Sequence, residues 1–134
     1  MTLVQTHPRA MSTDAAHRTV ADAMDAAGPQ VPDDMTVEVA LSVMAAARTG
    51  HLLVCDEDGQ CTNLVTRARL TTLRDSSGYT DRVRLRDITD AGGPFASPLT
   101  TVAEAEHAMR HRRLGALPVV DEHGTALGVL ALSR

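Results

Sequence analysis

The sequence predicts an α/β fold in which two copies of one strand–helix–strand–strand unit share one core. Three observations predict it. Sliding the chain along itself by 65 positions lays residues 22–69 on residues 87–134 without a gap, and 17 of the 48 pairs are identical. Chance at this Ala-rich composition gives roughly 4, so the self-similarity marks a repeated supersecondary unit. Apolar residues then recur at helical spacing after Thr36 and again after Thr101. Each of these stretches is followed by two short apolar runs separated by a Gly-containing turn, the pattern of a hairpin.

Residues 1–18 read as a flexible arm, because polar and small residues are scattered there without period. The two units are expected over 19–75 and 82–134. Their opening strands are weakly marked, near Gln30–Val31 and near Phe95–Ala96. In the first unit Val37, Ala40, Leu41 and Met44 stand at i, i+3, i+4 and i+7, one face of a helix over 37–48. Thr36 is its N-cap and Gly50 is expected to supply the left-handed residue that ends it. In the second unit Thr101 and Glu104 form a capping box ahead of Val102, Ala105 and Met109, giving a helix over 102–113. Arg110, Arg112 and Arg113 load its last turn, where cations suit the helix dipole.

The apolar runs Leu52–Cys55 and Thr62–Val65 flank Asp58-Gly59, and Leu117–Val120 and Ala126–Leu130 flank His123-Gly124. Both are hairpin signals. The first unit continues into a short helix over Arg67–Arg74. The second stops at Arg134, where the matching helix would begin. Its face over Val119, Val129 and Leu130 is therefore expected to be less covered and to serve a homodimer, unless Val20–Met24 covers it instead.

Composition removes several function classes. Only Tyr79 and Phe95 are aromatic, so no stacking platform for bases exists, and a net charge of −4 offers no basic excess to a phosphate backbone. No nucleic-acid partner is expected. No export signal and no apolar run of roughly 18 residues is present, which predicts a cytoplasmic chain without a membrane partner. Cys55 and Cys61 straddle a hairpin turn and read as reduced, half-buried thiols. Glu104, His107 and His111 share a helix face at a spacing that suits Zn²⁺, yet no fourth group accompanies them and no metal is expected. Arg82, Arg84 and Arg86 alternate with Val83 and Leu85, as along one side of an extended segment. Asp56-Glu57-Asp58 sits in a turn, where exposed acids belong. No nucleophile elbow, phosphate loop or dinucleotide fingerprint occurs, so catalysis is not expected.

The stretch Gly115-Ala116-Leu117-Pro118-Val119-Val120-Asp121, followed by Gly128-Val129-Leu130, resembles the signature of the CBS domain, as does Asp33-Asp34-Met35-Thr36-Val37 leading into Ala40 and Met44. The resemblance covers both copies, and tandem copies are themselves typical of that family. It implies tandem CBS repeats, a Bateman module, with two small β-sheets and their helices packed about a pseudo-twofold axis. The long helices 37–48 and 102–113 are expected against each other across that axis. The resemblance also implies a regulatory or sensor role, a homodimer, a separate effector protein, and an adenosine-type ligand such as AMP, ADP or ATP between the repeats. The candidate ligand-binding residues are Val31, Gly50, His51, Leu53, Thr66, Arg69, Ala96, Ala116 and Pro118, with Thr66 and Arg69 on the pocket floor and Val31, His51 and Leu53 as walls.

Ligand-binding copies of the family carry a hydroxyl residue and, three positions on, an Asp that accepts from the ribose. Here the first copy reads Thr66-Arg67-Ala68-Arg69 and the second Ala131-Leu132-Ser133-Arg134. Arg has no acceptor for a ribose hydroxyl but binds phosphate in a bidentate fashion. The alternative reading is a degenerate pair that acts only as a dimerisation or protein-interaction module without ligand.

Overall fold

The opening helix of each half closes the other half. In the computed structural model, which describes residues 18–89 and 93–132, the elements run α1 (Val20–Ala23), β1 (Asp25–Ala26), β2 (Gln30–Pro32), α2 (Val37–Ala47), β3 (His51–Cys55), β4 (Cys61–Thr66), α3 (Arg67–Arg74), α4 (Leu85–Ile88), α5 (Val102–Arg112), β5 (Ala116–Val120) and β6 (Ala126–Ala131). Of the arm expected over 1–18, only Arg18 is among the described residues, and its carbonyl accepts from Val102 N at 2.7 Å.

Two three-stranded sheets form, ordered β2-β3-β4 and β1-β6-β5. In the first, β2 is parallel to β3 and β3 antiparallel to β4. In the second, β5 and β6 form the matching hairpin, and Ala96 bridges Val119 in parallel, where Val31 bridges Val54 in the first. Both hairpins carry a register shift at the same place, Val54/Cys55 and Val119/Val120. The turns end on Gly59 and Gly124, whose φ of 82° and 84° only glycine adopts without strain.

The helices start where their caps dictate. The Thr36 hydroxyl accepts from Val39 N and the Thr101 hydroxyl from Glu104 N, both at 3.2 Å. They end differently from expectation. The left-handed residue is Arg48 (φ 56°), and in the second half Arg113 (φ 59°), rather than Gly50. The chain turns two residues before the glycine, and these arginines take a conformation that L-residues adopt at a cost of about 1 kcal/mol.

Each half has its own core between sheet and helix. The first holds Val37, Ala40, Met44, Leu52, Val54, Val65 and Leu70; the second holds Ala105, Met109, Leu117, Val119 and Leu130. The plug in each comes from the opposite copy. Leu85 of α4 is fully buried in the first core, and Leu85 N donates to Met35 O at 2.9 Å. Val20 of α1 is fully buried in the second core, and Val20 N donates to Thr100 O at 2.8 Å. The two arrangements are related by the same 65 positions. Burying such a side chain stabilises by about 1.5–3 kcal/mol. The strand β1 continues the exchange, since Asp25 and Ala26 pair with Val129 and Gly128. A Cβ on Gly128 would lie 2.4 Å from Asp25 O, so this glycine is what lets β1 approach.

Three expectations change here. The face over Val119, Val129 and Leu130 is covered within the chain, each residue being at most 2% exposed, so it offers no dimer surface; α1 and Met24 lie on it. The halves meet mainly sheet to sheet, along β4 and β5, and not through the two long helices. Leu53, Cys61 and Val129 form the buried centre of that junction. At its turn end Cys61 N donates to Gly124 O at 2.9 Å and Gln60 Nε2 to His123 O at 2.8 Å. Finally, Arg84 and Arg86 do not line a strand: Arg84 caps α4 and Arg86 lies within it.

Candidate functional site

A cleft of about 930 Å³ opens between the halves. Its first side is the end of β4 and the start of α3, with Asn63, Leu64, Thr66 and Arg69. Its second side comes wholly from the other half: Gly93-Pro94-Phe95 and Leu114-Gly115-Ala116-Leu117, with Ala108, Arg112 and Arg113 at the end of α5.

Thr66 sits where strand becomes helix. Its backbone is extended (φ −110°, ψ 154°) and its hydroxyl accepts from Arg69 N at 3.2 Å, the N-cap of α3. The hydroxyl hydrogen therefore remains for an acceptor in the cleft. Arg69, in the first turn, reaches across to α4 and its guanidinium donates to Ile88 O. It is exposed to the cleft without being free in solvent. Arg112 ends α5 and Arg113 follows in the left-handed conformation. Among the described residues neither has an ion-pair or hydrogen-bond partner for its side chain. The structural reason for cations there is the carbonyl end of α5; the same placement aims positive charge at the cleft.

Among the described residues, every charged side chain lining the cleft is thus an arginine and none is a carboxylate. Beside the polar Asn63 and Thr66, the lining is apolar, with Leu64, Pro94, Phe95, Ala108, Leu114 and Leu117. Such a surface takes a molecule with a flat or apolar part and an anionic end.

Of the candidate residues, Thr66, Arg69 and Ala116 line this cleft. Val31 and Leu53 are buried, Val31 in the first core and Leu53 in the inter-sheet junction. Gly50 O accepts from Arg67 N, and His51 pairs with Thr66 in the β3–β4 register. Ala96 borders a separate hollow of about 560 Å³ with Phe95, Pro98, Leu99 and Val120. Pro118 is buried in β5, where its carbonyl accepts from Ala96 N at 2.9 Å. The walls beside Thr66 therefore come from Gly93–Phe95 and Leu114–Leu117 of the other half, rather than from Val31, His51 and Leu53. Phe95, Arg112 and Arg113 were not among the candidates. Their signal was in the repeat itself, since a two-half cleft takes its second wall from the other copy.

Among the described residues no three His, Cys, Asp or Glu side chains are grouped to hold a metal ion. Glu104, which shares a face with His107 and His111, accepts instead from the Thr101 hydroxyl at 3.1 Å. No described helix is long and apolar enough to cross a membrane.

The family described as "CBS domain" matches residues 19–75 and again 83–134. The chain belongs to the CBS domain family. As a CBS pair it is similar to several solved structures. Against CBSX2, solved in complex with AMP, it is 22% identical with a TM-score of 0.72, covering 84% of this chain and 89% of that one. Against the CBS domain pair of protein MJ0100, solved with 5-methylthioadenosine and S-adenosyl-L-methionine, the identity is 16% and the TM-score 0.72, with 84% and 88% covered. Against the cytosolic domain of the Mg²⁺ channel MgtE, solved with ATP, the identity is 24% and the TM-score 0.68, with 81% and 44% covered. These are likenesses of fold. In sequence the CBS pair is 26% identical over 122 residues to a homoserine O-acetyltransferase of Methanohalophilus mahii, covering 90% of this chain. It spans about a quarter (24%) of that relative's length.

Proposed function

We propose that this CBS pair is a regulatory module that binds a phosphate-bearing adenosine-type nucleotide in the cleft beside Thr66. The observation that carries the reading is the cleft's charge: Arg69 from one half and Arg112 and Arg113 from the other line it, with no carboxylate among its described lining residues. Thr66 and the arginines hold the phosphates, and the base rests on the apolar wall that includes Phe95 and Leu114. Solved CBS structures holding AMP, ATP and S-adenosyl-L-methionine support a nucleotide in such a cleft. Lacking the ribose acceptor at position 69, the site prefers di- and triphosphates to adenosine. Because the ligand touches both halves, occupancy biases how they pack, and a separate effector, or a catalytic domain in chains built like the acetyltransferase relative, reads that bias. The module itself is non-catalytic and cytoplasmic on this reading. A homodimer stays part of the proposal, its apolar contacts now assigned to Leu99 and Val39, which are 84% and 49% exposed.

Calorimetry with adenosine, AMP, ADP and ATP tests the function. Affinity is expected to rise with phosphate number. Arg69→Asp is expected to weaken ATP binding at least tenfold, about 1.4 kcal/mol. Equal affinity for adenosine and ATP, or an Arg69→Asp protein that binds ATP as wild type does, overturns the phosphate reading. Absence of binding to any of the four overturns the nucleotide reading altogether. Light scattering that reports a 14.2 kDa particle at micromolar concentration overturns the dimer.

A further inference from the structure

We propose that Cys55 and Cys61 are a site of reversible disulfide formation at the junction of the two halves. The two residues are direct cross-strand partners in the β3–β4 hairpin, and both are free thiols. Their backbone groups bond elsewhere. Cys55 O accepts from Asp33 N and Cys61 N donates to Gly124 O, both at 2.9 Å, while the flanking pair is closed by Asp56 N donating to Gln60 O. This is the arrangement of a non-hydrogen-bonded pair, in which the Cα atoms lie about 4.5 Å apart and the side chains approach most closely. A disulfide spans Cα separations of about 4.4–6.8 Å, so the pair is within bonding reach once Cys55 Sγ leaves Gln30 Oε1 (3.5 Å) and Cys61 Sγ leaves Asn63 O (3.7 Å).

Both side chains also lie on one face. Leu52, Val54 and Val65 point into the first helix-covered core, whereas Leu53, Cys61 and Leu64 belong to the inter-sheet junction. Strand alternation puts Cys55 on the same side as Leu53. The second half carries Val120 and Ala126 at the equivalent register position, and both pack on that junction. The fold therefore needs only two small apolar groups there, and packing alone does not call for a pair of thiols.

With a peroxide as oxidant the chemistry balances. The sulfur of one cysteine attacks a peroxide oxygen, the O–O bond breaks, and a sulfenic acid and one water result. The second sulfur then attacks the sulfenic sulfur; the S–S bond forms, the S–O bond breaks, and the oxygen leaves as a second water. The two thiols give up two protons and two electrons, which the peroxide takes. Burial holds both thiols above the ordinary cysteine range, with Asp56 adding to Cys55, and Cys61 reaches about 11 with Cys55 as the second cause. Thiolate is scarce at neutral pH, so oxidation is slow there and quickens as pH rises. The bond would tie the hairpin at the point where Cys61 N meets Gly124 of the other half, and so stiffen the junction.

The test treats the purified protein with hydrogen peroxide, adds an alkylating reagent, and reads the tryptic peptide 49–67, which contains both cysteines and no methionine. Expected is an unalkylated peptide lighter by about 2 Da, restored to two alkylatable thiols by dithiothreitol. The oxidised protein is expected to melt about 5 °C higher. Cys55→Val with Cys61→Ala, the pair that the second half already uses, is expected to fold and to show no such rise. Two thiols that still alkylate after peroxide, oxygen added to the separate sulfurs, or a bond only between chains would each overturn the proposal. So would an equal rise in the double variant. None of these readings depends on nucleotide binding.

Discussion

The two halves of this CBS pair share a backbone plan and differ in what they present. Cleft positions that shape the main chain are the same in both copies: Gly93 and Gly28, Pro94 and Pro29, Gly115 and Gly50. Chemistry-bearing positions differ. Thr66 stands against Ala131, Phe95 against Gln30, Arg112 against Ala47, and Ala116 against His51. At the junction Cys55 and Cys61 stand against Val120 and Ala126. One supersecondary unit thus serves twice as a scaffold, while the side chains at equivalent positions differ between the copies.

The comparison breaks most severely at Gly128. Its counterpart Asn63 carries a side chain, but Gly128 faces the backbone of β1. Gly128→Asn makes the halves alike and is expected to cost about 3 kcal/mol or more, because a backbone oxygen at 2.4 Å cannot move aside without losing β1. Urea unfolding measures it; a loss under about 1 kcal/mol would mean that β1 is not held where described.

The exchange of opening helices gives the next pair. Leu85→Ala is expected to cost about 3 kcal/mol and Val20→Ala about 2 kcal/mol. Their signatures cross over. Hydrogen exchange should quicken in α2 when Leu85 is cut back, and in α5 when Val20 is. Faster exchange in the half that carries the mutation in sequence would refute the exchange.

Tyr79, in the connector between halves, donates to Glu38 Oε2 at 2.5 Å, a tie with no equivalent for α5 among the described residues. Burial, then the Glu38 carboxylate, raises its phenol to about 12. A raised pKa favours the protonated form in the folded state. The contribution is therefore complete below the phenol's ordinary value near 10 and fades as pH climbs to about 12. Tyr79→Phe is expected to cost about 1 kcal/mol at pH 7. Its stability profile should then be flatter than wild type across that alkaline window; an unchanged profile would remove the tie.

The smallest effect separates scaffold from site. Arg48→Gly and Arg113→Gly each relieve a left-handed arginine and are each expected to gain about 0.5 kcal/mol in thermal unfolding. Only Arg113→Gly should weaken nucleotide binding, because Arg113 lines the cleft and Arg48 does not. Equal effects on affinity would erase the distinction between halves.

Local signals in the sequence were readable where physics is local. The Thr36 and Thr101 caps, the spacing of Val37, Ala40 and Met44, the glycine turns and the helix over Arg67–Arg74 all follow from residues within one turn of each other. Helix α1 has four residues and β1 has two, too short to show a period. Their places depend on partners far along the chain. Of the exchange, the sequence shows only that Val20–Met24 is available to cover the second half. The left-handed Arg48 was hidden because composition rules choose the nearby glycine. The site was half legible: Thr66 and Arg69 could be picked from their tetrapeptide, whereas Phe95, Arg112 and Arg113 join them only once one copy is laid across the other.

The exchange of helices also sets an order of assembly. Leu85 reaches its place soon after the first half has been synthesised, so that half can close early. Val20 is made before any of it, yet its seat is built from Thr100, Met109, Val119 and Leu130. At ribosomal speeds of about 5–20 residues per second, the helix that carries Val20 waits several seconds with that side chain uncovered. The second half is therefore expected to close only after Leu130 is made, and a ribosome stalled before Leu130 is expected to leave a closed first half beside an open second one.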